Sequence, residues 1–339
     1  MDLALSEEQQ QLVEAIAGLL ARESSSERVR SAEPSGFDAK LWSALHDAGV
    51  VHMAVDEDGG GWGATELDLA LVAEQLGRTL CSVPAVEAQV AAALLREFAR
   101  TGNVAAGRML DSVLAGERLV SFAPRPGRGA RLELVPGATV ADAVIASVDG
   151  RLLLVPLEGN QTAVANLGSM PLADVELTAE VTVLAEAGWA AFERAVDQWL
   201  KLTAAVLVGA GARALEITVD YACERKAFGT PIGSFQAISH RLADSATAVD
   251  GARLLAYRAA CADVDEPERS SELAAMAFAF AYEAARDVTH RGIHFHGGYG
   301  FMMEQDIQLY YRRVRGWANV FGDANAALDR VAAKRYDPS

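Results

Sequence analysis

Glu224-Arg225-Lys226-Ala227-Phe228-Gly229-Thr230-Pro231-Ile232-Gly233-Ser234-Phe235-Gln236-Ala237-Ile238 interrupts a long run of helical periodicity with two cations, two aromatic rings and a Gly/Pro turn. Gly229 and Pro231 end one helix and a new one begins a few residues on, which puts Arg225, Lys226 and Phe228 on a short connection. About 60 residues further along, His294-Phe295-His296-Gly297-Gly298-Tyr299-Gly300-Phe301 supplies backbone free of Cβ, as close approach by another group requires. Two cations and an aromatic face beside open backbone suit a phosphate-bearing ligand that carries a ring. The same residues also read as a solvated Arg–Lys pair and a glycine helix stop, and both readings stand on residue chemistry alone.

Both segments lie in an Ala-rich region whose helical runs cover about 190–223, 235–262, 270–291, 304–315 and 323–334, a bundle of long antiparallel helices. Over 119–183 the texture differs. Leu132-Glu133-Leu134-Val135, Val144-Ile145-Ala146-Ser147-Val148 and Leu152-Leu153-Leu154-Val155 are short β-rich runs between Gly and Pro turns. Ahead of them, Ser6 caps a helix over about 6–23, with Leu12, Ile16, Leu19 and Leu20 on one face. Residues 24–36 read as a polar connection, Leu41, Leu45 and Val50 as a second helix, 56–63 as a turn, and 67–76 and 83–98 as further helices. The predicted class is mainly α with a small middle β domain: a helical domain over 1–117, a reduced β domain over 118–185 and a helical bundle over 186–339.

Several patterns resemble sites and read as structure. Gly209-Ala210-Gly211-Ala212-Arg213-Ala214 fits the GxGxxA form of the dinucleotide fingerprint, but no strand precedes it, so it reads as helix packing. His290, His294 and His296 have no acids at metal-ligand spacing, and Asp56 to Asp58 lacks the alternating ligands and distal Glu of a calcium loop. No metal is expected. Lys plus Arg total 30 against 46 Asp plus Glu, a net charge of −16 that repels nucleic acid and anionic lipid, so an anionic ligand needs a local cationic pocket. Cys81, Cys223 and Cys261 match no zinc spacing and read as core thiols. With no basic-then-apolar leader and no apolar stretch of about 20 residues, a cytoplasmic protein without a nucleic-acid or membrane partner is expected.

The two decisive segments, in this order within a helical C-terminal region, resemble the acyl-CoA dehydrogenase superfamily. Leu5-Ser6-Glu7-Glu8-Gln9 is similar to the family's first helix, and Asp56-Glu57-Asp58-Gly59-Gly60-Gly61-Trp62-Gly63 to its P-E-x-x-G-G-x-G turn. The resemblance spans nearly the whole chain. It implies an acyl-CoA dehydrogenase-like fold with a C-terminal four-helix bundle, and FAD-dependent α,β-desaturation of an acyl-CoA. It also implies FAD lying across a subunit interface, and an electron-transfer flavoprotein or similar acceptor. The family's R-K-x-F-G and Q-x-x-G-G-x-G segments reach the pyrophosphate and adenosine half of a neighbour's FAD. Arg225, Phe228, Ile232, Phe235, Gln236, Gly297 and Gly298 stand at those positions, with His294 where Gln is usual.

The parts that serve a subunit's own flavin and substrate depart from the family. Ser121-Phe122-Ala123-Pro124-Arg125-Pro126-Gly127 stands in place of T-E-P-G-x-G-S-D, and no W-I-T-N-G follows. The Y-E-G triplet is Val320-Phe321-Gly322, so Phe321 occupies the place of the catalytic glutamate, with Asp323 where a flavin-contacting Thr is usual. Some members carry the base on the first long C-terminal helix, and that position corresponds to Trp199. Asp197, two residues away, is turned about 200° around the helix. The asymmetry implies the non-catalytic subunit of a heteromeric α2β2 enzyme, similar to those of actinobacterial steroid side-chain degradation, whose catalytic partner brings the glutamate. The alternatives are a homomeric enzyme using an unusual base such as Asp323, and a non-enzymatic acyl-CoA-binding scaffold.

Overall fold

A computed structural model describes residues 5–336; residues 1–4, part of the stretch expected to lack a leader, and 337–339 lie outside the described residues. Among the described residues six helices come first: α1 (Glu7–Glu23), α2 (Ser26–Ala32), α3 (Ala39–Asp47), α4 (Glu66–Arg78), α5 (Ala85–Arg100) and α6 (Val104–Leu114). The strands β1 (Val120–Phe122), β2 (Arg131–Val135), β3 (Ala143–Val148), β4 (Arg151–Pro156), β5 (Gln161–Ala163), β6 (Ala173–Glu176) and β7 (Thr182–Ala185) follow. Helix α7 (Trp189–Glu224) leads into a hairpin, β8 (Lys226–Ala227) and β9 (Thr230–Pro231). Helices α8 (Gln236–Asp265), α9 (Ser270–His296), α10 (Ile307–Asn319) and α11 (Ala324–Tyr336) complete it. The fold is mainly α with a small sheet region, as the periodicity predicts.

Local chemistry sets several boundaries. Ser6 caps α1 reciprocally: its Oγ accepts from Gln9 N at 3.2 Å while Gln9 Oε1 accepts from Ser6 N at 3.1 Å. Asp38 caps α3 by accepting from the amides of Lys40 and Leu41. Three expectations are corrected. The 24–36 connection contains α2, which buries Val29 and Ala32; seven residues are too few for periodicity to reveal. Helix α9 runs to His296, beyond the expected 291, so His294 and His296 sit on its last turn. Of the three thiols only Cys81 is buried, while Cys223 is exposed at the end of α7.

By contacts the chain forms two compact units. One comprises Met1–Ser26, Ala70–Cys81 and Leu200–Ser339. Within it α4 and α7 pass backbone to backbone. A Cβ on Gly77 would lie 1.9 Å from the Val206 carbonyl oxygen, and one on Gly209 would lie 1.9 Å from that of Glu74. Gly211, on the other side of α7, faces Ala285 of α9. The Gly209-Ala210-Gly211 run lies deep inside α7 and is helix packing, with no strand leading into it. Glu74, 4% exposed, accepts from Arg253 Nε at 3.0 Å and from the Tyr257 hydroxyl at 2.8 Å, tying α4 to α8. Helix α7 contains an apolar window long enough to cross a bilayer by length and composition, contrary to the sequence reading, but 72% of it is buried in the fold.

The other unit comprises Glu27–Leu69 and Ser82–Trp199. Its four-stranded sheet runs β1-β3-β4-β7, with β1 and β3 parallel, and its three-stranded sheet runs β2-β6-β5. Ile145 pairs with Leu154 in the antiparallel β3–β4 register. Val144, Ala146 and Val148 share a core with Leu132, Val135 and Val175 of the second sheet. The alternate residues of β3 are buried as well, which explains its continuous apolar run.

Replacing Gly209→Ala should destabilise the chain by about 2 kcal/mol or more despite the better helix propensity of Ala, because the added methyl meets a backbone carbonyl. Gly211→Ala should cost less, since its added Cβ would stop 3.3 Å from Ala285. Urea unfolding midpoints of the two variants check this; a wild-type midpoint for Gly209→Ala would mean that α4 and α7 do not touch there.

Candidate ligand-binding site

The exposed end of α7 turns directly into the hairpin. The Arg225 amide donates to the Tyr221 carbonyl at 2.8 Å, closing the helix, and the Ile232 amide donates to the Arg225 carbonyl at 2.8 Å, closing the hairpin. Phe228 (φ 53°) and Gly229 (φ 83°) both adopt the left-handed region, as a two-residue type I′ turn demands. Glycine does so freely, but a Phe there is strained. Phe228 is 98% exposed and meets Phe235 edge-on at 6.3 Å. The turn holds a bare aromatic ring at its tip.

The facing wall is the end of α9. Gly297 takes φ 60°, ψ −137°, which a side chain disfavours, and neither Gly297 nor Gly298 has any atom within 4 Å of where a Cβ would stand. His296 is buried, lies parallel to Tyr221 at 4.1 Å, and has Nδ1 2.7 Å from the Gly292 carbonyl. Burial holds its pKa below the ordinary imidazole value. A carbonyl only accepts, so Nδ1 carries the proton of the neutral ring.

Between these walls a cavity of about 580 Å³ is lined by Tyr221, Arg225, Ile232, Phe295, His296, Gly297, Gly298, Tyr299 and Met302. Arg225 is exposed, and its guanidinium pairs with no carboxylate among the described residues. Of the residues the sequence singled out, Arg225, Ile232, Gly297 and Gly298 meet here. His294 lines a neighbouring cavity of about 280 Å³ with His290, Phe301 and Tyr311. Phe228 and Phe235, at and beside the hairpin, and Gln236, exposed at the start of α8, line neither cavity. Tyr221 and His296 were missed. Tyr221 lies one helical turn before Arg225, a spacing that could have marked it. An unpaired guanidinium, bare glycine backbone and aromatic rings fit a phosphate-bearing ligand with a ring. Among the described residues no three His, Cys, Asp or Glu side chains are grouped to hold a metal.

The positions that would carry a base are built into the fold. Phe321 is half-buried and meets Phe278 edge-on at 5.7 Å. Asp323 caps α11, accepting from the amides of Asn325 at 2.9 Å and Ala326 at 3.1 Å. Those bonds, Ala326 first, lower its pKa, the opposite of what a proton-abstracting base needs. Trp199 is 1% exposed and donates from Nε1 to Glu87 Oε1 at 3.0 Å. Burial raises the pKa of Glu87. In the segment lacking the flavin motif, the Ser121 hydroxyl is buried and donates to the Pro136 carbonyl at 2.5 Å.

Residues 6–110 match the acyl-CoA dehydrogenase N-terminal domain and residues 186–335 the acyl-CoA dehydrogenase C-terminal domain. The chain is 32% identical to acyl-CoA dehydrogenase IpdE2 of Mycolicibacterium smegmatis, over 98% of this chain and 100% of that protein. This chain belongs to the acyl-CoA dehydrogenase family. Among solved structures, the acyl-CoA dehydrogenase fold superposes on a variant of the Tcur3481–Tcur3483 steroid ACAD with a TM-score of 0.88 at 27% identity, covering 98% of each chain. It superposes on the ChsE4-ChsE5 complex from Mycobacterium tuberculosis with a TM-score of 0.87 at 26% identity, again over 98% of each chain.

Glu87 offers a pH test with a definite sign. A folded-state pKa above the ordinary 4.5 means that stability is fully present below about 4.5 and falls as pH rises toward the folded value, while the unfolded carboxyl ionises first. Glu87→Gln keeps an oxygen for Trp199 and removes the titration. Its stability relative to wild type should therefore grow between pH 5 and pH 8, by about 1.4 kcal/mol per unit of raised pKa. Urea unfolding at the two pH values measures the gap; a constant gap would mean that Glu87 is charged in the fold.

Proposed function

We propose that this chain is a cytoplasmic, non-catalytic subunit of a heteromeric acyl-CoA dehydrogenase, lending a cofactor half-site to a catalytic partner in an α2β2 assembly. The reaction of the complex is α,β-desaturation of an acyl-CoA, with a steroid side-chain thioester as the substrate class and an electron-transfer flavoprotein or similar protein as acceptor. The cofactor is FAD. When bound, FAD supplies the acceptor for the β hydride.

One contrast carries the reading. Both base positions hold aromatic side chains packed inward, Phe321 on Phe278 and Trp199 on Glu87, whereas Arg225, Gly297 and Gly298 open onto a cavity. This chain therefore has the means to bind a diphosphate but none to abstract an α proton at those positions. Arg225 offers a guanidinium fork to phosphate oxygens. Gly297 and Gly298 admit the ligand to the backbone, and Phe228, on its strained turn, projects a ring beyond this subunit's own surface. The steroid ACAD and the ChsE4-ChsE5 complex among the similar structures support the heteromeric and steroid elements of the proposal.

Titrating FAD into the apo-heteromer, co-expressed with its partner, tests this directly. A charge-assisted pair is worth about 1.5–3 kcal/mol, so Arg225→Ala should weaken FAD binding by roughly ten- to a hundredfold and leave the unfolding of the isolated subunit nearly unchanged. The lone chain should oxidise no acyl-CoA. Wild-type FAD affinity in the variant would reduce Arg225 to a solvated helix end, and turnover by the lone chain would make the enzyme homomeric.

A further inference from the structure

Within the unit that holds the sheets, and apart from the cavity at Arg225, a second cavity of about 610 Å³ lies beside the glycine turn 56–63. Its charged lining is Arg96 and Arg100, one turn apart on α5, Arg194 on α7, and the carboxylates of Asp56 and Glu97. Three guanidiniums against two carboxylates leave the lining positive, in a chain whose net charge is −16.

Two of the cations are held in place. Asp56 Oδ1 accepts from Arg96 Nε at 2.6 Å and from the Gly59 amide at 2.8 Å, so the turn itself fixes the arginine. A Cβ on Gly59 would fall 2.6 Å from Arg96 Cδ and Nε, and glycine there is what leaves room for the side chain. Arg96 is only 19% exposed at its side chain, and the arginine bond lowers the pKa of Asp56. Arg194 Nη2 donates to Glu97 at 2.7 Å. Arg100 makes no side-chain hydrogen bond or ion pair among the described residues, and its charge adds to the lowering of the Asp56 pKa. Each guanidinium carries five N–H groups, so most of the donors around the cavity remain unspent. Ala64 and Ala93, both half-buried, give the cavity a small apolar side.

We propose that this cavity binds a small organic oxyanion, a carboxylate or phosphate monoester on a short apolar body. The planar guanidinium fork matches either headgroup bidentately, and the prior pairing of Arg96 and Arg194 with acids lowers the ordering cost of binding. The site is separate from the half-site at Arg225 and stands whether or not that half-site holds FAD.

Calorimetric titration of the full chain in buffer without competing oxyanions tests it, with cyclohexanecarboxylate, phenyl phosphate and inorganic phosphate as probes. One of the two organic probes should bind saturably and more tightly than inorganic phosphate, and the tighter of the two identifies the headgroup. Arg100→Gln should weaken that probe roughly two- to fivefold, as expected for an exposed charge, and Arg100→Gln with Arg194→Gln more. Arg108→Gln, an exposed arginine on α6 outside the cavity, should bind as wild type. Saturable binding of neither organic probe, equal affinity for inorganic phosphate, or an equal loss in Arg108→Gln would overturn the proposal.

Discussion

The backbones of α4 and α7 touch, and much of the larger helical unit depends on that contact. It requires glycine on both sides, Gly77 against the Val206 carbonyl and Gly209 against that of Glu74. No other residue brings two helices so close without displacing a main-chain oxygen. Once the helices meet there, Glu74 is buried and must find donors, which Arg253 and Tyr257 of α8 supply. Burial first, and then the Glu74 carboxylate, push the Tyr257 hydroxyl far above its ordinary pKa. About three turns beyond Gly209 the same helix reaches Tyr221, and about four turns beyond it ends just before Arg225. The close crossing and the candidate site are thus two stations on one rigid rod.

The second constraint is at the far wall, where α9 must stop abruptly. Gly297 makes that stop in a conformation other residues avoid, and His296, pinned through Nδ1 to Gly292 and stacked on Tyr221, joins the last turn of α9 to the last turn of α7. Two helix ends therefore form one cavity without a loop having to fold over it. The hairpin at Phe228 and Gly229 adds a rim whose exposed ring buries nothing within this chain. A strained and fully solvated aromatic residue costs free energy in the isolated subunit, and the proposed assembly would give it a surface to cover.

Elsewhere, groups of the kind that could do chemistry are spent on structure. Trp199 and Glu87 satisfy one another in the core, Asp323 caps a helix, and Ser121 donates inward. These uses explain why residue type alone misleads: an exposed Asp beside a glycine looks available until its helix is seen to begin at the next residue. The three-arginine cavity teaches the converse, since the glycine turn that reads as a mere connection also positions Arg96.

The family and the broad architecture were legible in the sequence, because periodicity records which faces are buried and the Arg225 and Gly297 segments preserve unusual residue types in a fixed order. The packing role of Gly209-Ala210-Gly211 was legible too, from the missing strand. Helix α2, the extension of α9 to His296 and the exposure of Cys223 were not, since a short helix, a last turn rich in His and Gly, and a solvent-facing thiol leave no periodic trace. Tyr221 joining His296, Glu87 reaching Trp199 across 112 residues, and Arg194 lining one cavity with Arg96 were decided only by the tertiary structure. A linear pattern reports each residue's own preference for burial or turn, whereas a site is a coincidence in space of residues whose preferences are individually ordinary.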